Sequence, residues 1–222
     1  MIIVTEREEN EYGMLIPLSA VSQDGEMTIH VISEARDAAE WLDRQPADAL
    51  TERETWEQLD RMLRPLAEDY GYEPDDGYVF GYSILFTAER GARIDRSLIR
   101  PDTRRVYADE NLLCRTETVL DENAANCTIF GTVRNGELLS FANLNSDDGE
   151  VVEIGVETAP DEEGNGFASS NTAAITAYFL DRDRRVFYET EASNDASVAV
   201  ARKVGLTPRA VKYHYVCFPG ED

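Results

Sequence analysis

Cysteine, histidine and lysine are all scarce in this 222-residue chain, and each shortage argues against a class of function. Cys114, Cys127 and Cys217 are an odd number without metal-ligand spacing, so reduced thiols are expected and a disulfide framework is not. His30 and His214 stand alone, which argues against a zinc site. No apolar run approaches the ~20 residues of a membrane helix. Met1-Ile2-Ile3-Val4 leads straight into Thr5-Glu6-Arg7-Glu8-Glu9, which reads neither as a signal peptide nor as an anchor, so a cytoplasmic location with no membrane partner is expected. Lys203 and Lys212 are the only lysines among 21 basic residues, set against 44 acidic ones. The resulting net charge of −23 repels nucleic acid and draws cationic partners, and an amine acceptor suits it. Acidic surfaces also serve solubility or the salt habits of a host, and composition alone leaves both readings open.

With 42% hydrophobic residues the chain can bury one good core, with a smaller subdomain against it. The stretch from Val151 to Leu206 carries the most information. Val152, Ile154 and Val156 alternate with Glu153, Gly155 and Glu157, the pattern of a half-buried strand with carboxylates on its open face. Pro160 and an acidic run end it. Glu163-Gly164-Asn165-Gly166-Phe167-Ala168-Ser169 then enters a helix expected from about Phe167 to Leu180. Its first turn offers bare N–H groups and the positive end of the dipole to a pyrophosphate. Glycines at this spacing also serve ordinary tight turns. A further strand follows, then Asn194-Asp195-Ala196-Ser197 opens a second helix that ends at Gly205-Leu206.

This order of parts resembles the acetyl-CoA-binding half of the GNAT N-acetyltransferases. The family motif Arg/Gln-x-x-Gly-x-Gly/Ala is met at its last two defined positions by Glu163-x-x-Gly166-x-Ala168. The pattern E-I-x-x-x-T…G-x-A-[ST]…N-x-x-S-x-x-x-A-x-K-x-G of a bacterial branch is similar throughout: Glu153, Ile154, Thr158, Gly166, Ala168, Ser169, Asn194, Ser197, Ala201, Lys203 and Gly205 all fit. The likeness covers residues 127–206 firmly. It implies an α/β (α+β) fold, a mixed and mostly antiparallel sheet flanked by helices, in which the strands bearing Glu153 and Tyr188 splay apart around a pantetheine arm. By the same likeness acetyl-CoA would be held by Val156 and Thr158 on the strand, by residues 163–169 at the turn, and by Asn194 and Ser197. Glu153 would be the base that deprotonates the acceptor, with Glu157 beside it. A carboxylate near pKa 4 is a poor base for an ammonium unless burial or a neighbouring carboxylate raises it, and Glu157, Glu189 and Glu191 are candidates for that neighbour. A solvated acidic face is the plain alternative.

Two departures stand out. Where many members carry a tyrosine as general acid to the leaving thiolate, this chain has Ala201, with Tyr213 and Tyr215 as substitutes to consider. Where Arg or Gln opens the motif it has Glu163, which Arg182, Arg184, Arg185 or Arg202 could offset. The expected activity is acetyl transfer to a small-molecule or peptide amine, and the rival is a non-catalytic CoA-binding or protein-interaction module.

Residues 101–222 are expected to form the GNAT-like domain and residues 1–100 an N-terminal α/β extension that could serve as lid, homodimer surface or part of the acceptor pocket. Thr51-x-x-Glu54 reads as a capping box before Trp56, Leu59, Met62, Leu63 and Leu66, with Pro65 expected to end or kink that helix. Residues 71–77 read as a turn or linker, and Tyr78 to Phe86 as a buried strand. The arginines at 93, 96, 100, 104 and 105 suit either surface ion pairs or cofactor phosphates. Asn135-Gly136 joins residues 128–133 and 138–144 in a hairpin.

Overall fold

The structure, a computed structural model, describes residues 1–5, 13–107, 110–116 and 128–220. Cys127 lies outside them. The first elements are β1 (Ile2–Thr5), β2 (Leu15–Gln23), β3 (Glu26–Ile32), α1 (Arg36–Leu42), α2 (Arg53–Asp69), β4 (Tyr72–Pro74), α3 (Asp76–Val79) and β5 (Ser83–Ala88). Then come β6 (Thr103–Val106), β7 (Leu113–Cys114), β8 (Ile129–Arg134), β9 (Glu137–Asp147) and β10 (Val151–Thr158). The chain ends with α4 (Phe167–Leu180), β11 (Arg185–Glu191), α5 (Asp195–Val204) and β12 (Thr207–Pro219). It divides into two compact units: Met1–Leu85 with Glu191–Ser193 and Arg209–Asp222, and Phe86–Thr190 with Asn194–Pro208. No helix among the described residues is long and apolar enough to cross a membrane.

In the first unit the strands run in the order β1, β3, β2, β12, with β4 along the end of β12; only the β1–β3 pairing is parallel. Leu15, Leu18, Ile29 and Val31 of the sheet pack with Leu42, Leu59 and Leu63 of the helices. Helix α2 buries Thr55, Leu59, Leu63 and Ala67, one residue per turn. Two expectations for it need correction. The residue before the helix is Glu52 with no side-chain cap, because Thr51 Oγ1 donates to the Asp48 carbonyl at 2.8 Å in the preceding 3-10 turn. Of the two outcomes expected for Pro65, ending the helix does not occur: the proline sits on the exposed face, and burial of Leu63 and Ala67 to either side carries the helix on to Asp69. The expected strand at Tyr78 to Phe86 begins only at Ser83, since Asp75 Oδ1 accepts from the N–H of Gly77 and Tyr78 at 2.8 and 3.3 Å and starts α3.

In the second unit the order is β11, β10, β9, β8, β6, with β7 beside β9; the β10–β11 and β7–β9 pairings are parallel and the others antiparallel. Each unit thus combines helices with a mixed, mostly antiparallel sheet, and the fold class is α/β as the resemblance implies. The hairpin turn forms at Asn135 and Gly136, with φ of 51° and 83°. Helix α4 has the bounds expected of it and is buried almost all round. It therefore brings Ser170, Asn171, Thr172 and Thr176 into the interior.

Two tyrosines of β12 make the first unit sensitive to alkali. Tyr213 and Tyr215 are fully buried; Tyr213 donates to the Val79 carbonyl at 3.1 Å and Tyr215 to Asp60 Oδ1 at 2.7 Å. Burial, then the Asp60 charge, pushes both hydroxyls above the ordinary tyrosine range, and burial pushes the Cys217 thiol up to about 12. Each group holds its proton more tightly folded than unfolded. Their contribution to stability is therefore complete below the unfolded values of roughly 8.5 for cysteine and 10 for tyrosine, and is lost as pH climbs through them. Urea unfolding between pH 7 and 11 is expected to show stability falling from about pH 9 upward. Tyr215→Phe should cost about 1–3 kcal/mol at neutral pH, by leaving Asp60 short of a donor, and should flatten the alkaline loss.

Candidate active site

Strands β10 and β11 pair for three residues only, Val151–Glu153 against Arg185–Phe187. The β9–β10 register shifts between Glu153 and Ile154, a bulge at the point where pairing with β11 stops. Beyond it β10 continues along β9, while β11 leads into the turn before α5. A cavity of about 440 Å³ is walled by Val156 and Thr158 of β10, by the turn and first residues of α4, and by one face of α5.

At the turn, Gly164 and Gly166 have φ of 76° and 79°, the left-handed region that favours glycine. A Cβ on either would meet nothing within 4 Å, so this side of the cavity is bare backbone. The first helical bond of α4 runs from Ser170 N to Gly166 O at 3.1 Å. The N–H groups of Phe167, Ala168 and Ser169 precede it and point out of the helix end. Asn165 plays a different part. Its Nδ2 donates to the Glu162 carbonyl and to Glu162 Oε2 at 3.2 and 2.9 Å, and its carbonyl accepts from Arg100 at 3.2 Å. It shapes the turn without lining the cavity.

Phe167 is fixed from behind. The guanidinium groups of Arg100 and Arg134 lie 5.0 and 4.8 Å from its ring centroid, and both arginines bind Asp102 at 3.2 and 2.7 Å. Burial works to raise the Asp102 pKa, but Arg134 and Arg100 outweigh it and hold the carboxyl below its ordinary value. The neighbouring arginines form ion pairs too, Arg96 with Asp181 and Arg104 with Glu110, while Arg105 lies over the Tyr107 and Tyr178 rings. The surface-pair reading of that cluster holds for Arg96, Arg100 and Arg104, and Arg100 in addition reaches the turn.

On α5, Asn194 Oδ1 accepts from Ser197 N at 3.0 Å and caps the helix, leaving its amide NH₂ to the cavity. Ser197 Oγ lies 2.5 Å from the hydroxyl of Tyr188, whose pKa is raised by burial against the opposing effect of that bond. Ala201 is fully buried. Ala196, Val200 and Lys203 share the cavity face with Ser197. Lys203 was legible only as part of a pattern, yet its four- and three-residue spacing from Ala199 and Val200 puts it on this face.

The cavity therefore gathers Val156, Thr158, Glu163, Gly164, Gly166, Phe167, Ala168, Ser169, Asn194 and Ser197 from three separate segments. Glu153 and Glu157 do not line it. Glu153 is half-buried at the bulge, opposite Ser146, whose hydroxyl donates to it at 3.4 Å. Of the arginines that could offset Glu163, Arg184 binds Asp147, Arg185 faces Glu150 and Arg182 lies over Tyr178; the cation at the cavity is Lys203. Tyr213 and Tyr215 are committed to the core of the first unit. Among the described residues no group of His, Cys, Asp and Glu is placed to hold a metal ion.

The family model of the acetyltransferase (GNAT) domain matches residues 100–207, a span that contains every wall of this cavity. A GNAT-family protein of known structure from Novosphingobium aromaticivorans is 17% identical, with 68% of this chain covering 69% of that one at a TM-score of 0.50. A Drosophila protein of known structure is 13% identical and aligns over 96% of this chain and 77% of its own, with a TM-score of 0.53. Identities this low speak for the fold alone. No curated protein matches the chain significantly. Residues 100–207 thus resemble a GNAT acetyltransferase domain, and the mixed sheet with its flanking helices has the GNAT fold.

Proposed function

We propose that this protein transfers acetyl from acetyl-CoA to the amine of a small molecule or peptide, by direct attack in a ternary complex, and that it works in the cytoplasm. The observation that carries the reading is the cavity, where a bare helix end, a strand edge without its partner and a capped second helix meet. These residues suit the cofactor. The N–H groups of Phe167, Ala168 and Ser169, with Lys203 across from them, would take the pyrophosphate. Val156, Thr158 and Asn194 would take the pantetheine arm. When bound, acetyl-CoA supplies the activated acetyl thioester.

The remaining work falls to side chains. Glu153 accepts the proton of the incoming ammonium, usually through water in the family. Ser197 Oγ, backed by Tyr188, replaces the tyrosine that Ala201 lacks as the hydroxyl able to return a proton to the thiolate. The acidic surface draws a cationic acceptor. Two observations favour a rival, a domain that binds CoA without turnover: Glu162 and Glu163 stand at the cavity, and Ala201 carries no proton donor.

Acetyl-CoA is expected to raise the thermal midpoint, since a ligand bound only by the folded state adds about 2.7 kcal/mol at a hundredfold excess over Kd. Absence of any shift at millimolar ligand overturns the assignment, and binding without free-thiol release across an amine panel favours the rival. Glu153→Gln should lower turnover roughly 10²-fold and leave acetyl-CoA affinity unchanged; full activity at every pH moves the base to Glu157 or Glu191. Glu163→Gln should tighten CoA binding several-fold and Lys203→Gln weaken it, read by calorimetry at two ionic strengths. Weaker binding by Glu163→Gln would mean that the carboxylate makes a useful contact.

A further inference from the structure

Ser140 is fully buried on β9, and its one hydroxyl proton has more than one neighbour to serve. Its Oγ donates to the Glu157 carbonyl at 2.8 Å, accepts from Asn171 Nδ2 at 3.0 Å and lies 2.8 Å from Thr158 Oγ1. A carbonyl can only accept, so the Ser140 proton goes to Glu157. Thr158 must then be the donor in the third contact. Turning the Asn171 amide round leaves this unchanged, because its oxygen would then be a second pure acceptor beside the Ser140 hydroxyl; as placed, Oδ1 accepts from Thr132 at 3.2 Å and from Thr103 at 3.3 Å. Asn171 and Thr132 are themselves fully buried, so the network has no exchange with water.

Thr158 also lines the cavity. A hydroxyl in water serves as donor or acceptor by rotating; this one has its proton committed inward and offers lone pairs alone to whatever enters. We propose that Thr158 Oγ1 is a fixed acceptor that selects an amide N–H in the ligand, which on the acetyl-CoA reading is an amide of the pantetheine arm. Asn171 and Ser140 are positioning residues. They set the sense of the hydroxyl from inside the protein, and an oxygen in place of the N–H would face a lone pair and be rejected.

The test compares the parent with Thr158→Val, Thr158→Ser and Ser140→Ala by calorimetric titration, with no acceptor present so that the cofactor arm is the sole source of an amide N–H in the ligand. Acetyl-CoA is one probe. Adenosine 3′,5′-diphosphate, which keeps the nucleotide end and lacks the arm, is the other. Thr158→Val should bind acetyl-CoA roughly tenfold more weakly and the nucleotide as the parent does. Thr158→Ser should match the parent with both. Ser140→Ala, which frees the Thr158 proton, should weaken acetyl-CoA several-fold and spare the nucleotide, and it carries the test should the valine variant fail to fold. Undiminished acetyl-CoA binding by Thr158→Val, or an equal loss for both probes, overturns the inference and leaves the proposed function standing. A parent that binds neither probe overturns the proposed function itself.

Discussion

The site rests on a strand pairing that stops. A strand inside a sheet normally satisfies its backbone on both sides, and an unsatisfied buried edge is costly. Here β10 keeps β9 along its length and loses β11 after three residue pairs. The edge carrying Val156 and Thr158 is left facing a cavity, where a ligand with its own amides could complete it. The bulge between Glu153 and Ile154 sits where the two strands part, and added local twist is the ordinary consequence of a bulge.

A strand edge held on one side needs support from behind, and α4 supplies it with polar groups. Asn171 joins Thr132 of β8 and Ser140 of β9 to the helix, and Ser140 passes the connection to Glu157 and Thr158 of β10. Thr103 of β6 bonds Ser170 at 2.7 Å, and the same Ser170 hydroxyl accepts from Arg100 N at 2.9 Å. Apolar packing tolerates small slips in register, whereas a satisfied buried network fixes one arrangement. The helix end and the strand edge that face the cavity are thereby set relative to each other.

Charge is organised differently inside the site and outside it. The chain carries −23 overall, and the arginines beside the site are spent on Asp102, Asp181 and Glu110. What remains toward the cavity is Lys203, one of two lysines in the protein, with the N–H groups of α4. Backbone dipoles keep their orientation whatever the surface charge, which lets an acidic protein keep an anion-friendly turn despite Glu162 and Glu163.

Much of this was legible before any coordinates. The alternation from Val152 to Glu157, the glycine pair at 164 and 166, the bounds of α4, the helix start at residues 194–197 and the Asn135-Gly136 hairpin depend on local backbone preference, which a short window of sequence records. Other features turned on which of several nearby partners a side chain took, or on burial that overrode local preference. Thr51 was drawn to Asp48 rather than to the helix it precedes, Pro65 was overruled by the burial around it, and Asp75 turned the start of an expected strand into α3. The three-residue pairing of β10 with β11, the return of β12 to the first unit and the direction of the Thr158 proton have no local signature at all. By itself the sequence determined which segments would be strand, turn and helix around the site, because those choices are made within a few residues. Only the tertiary structure decided which edge stays open and which hydroxyl becomes an acceptor, because both depend on what the rest of the chain has already paired.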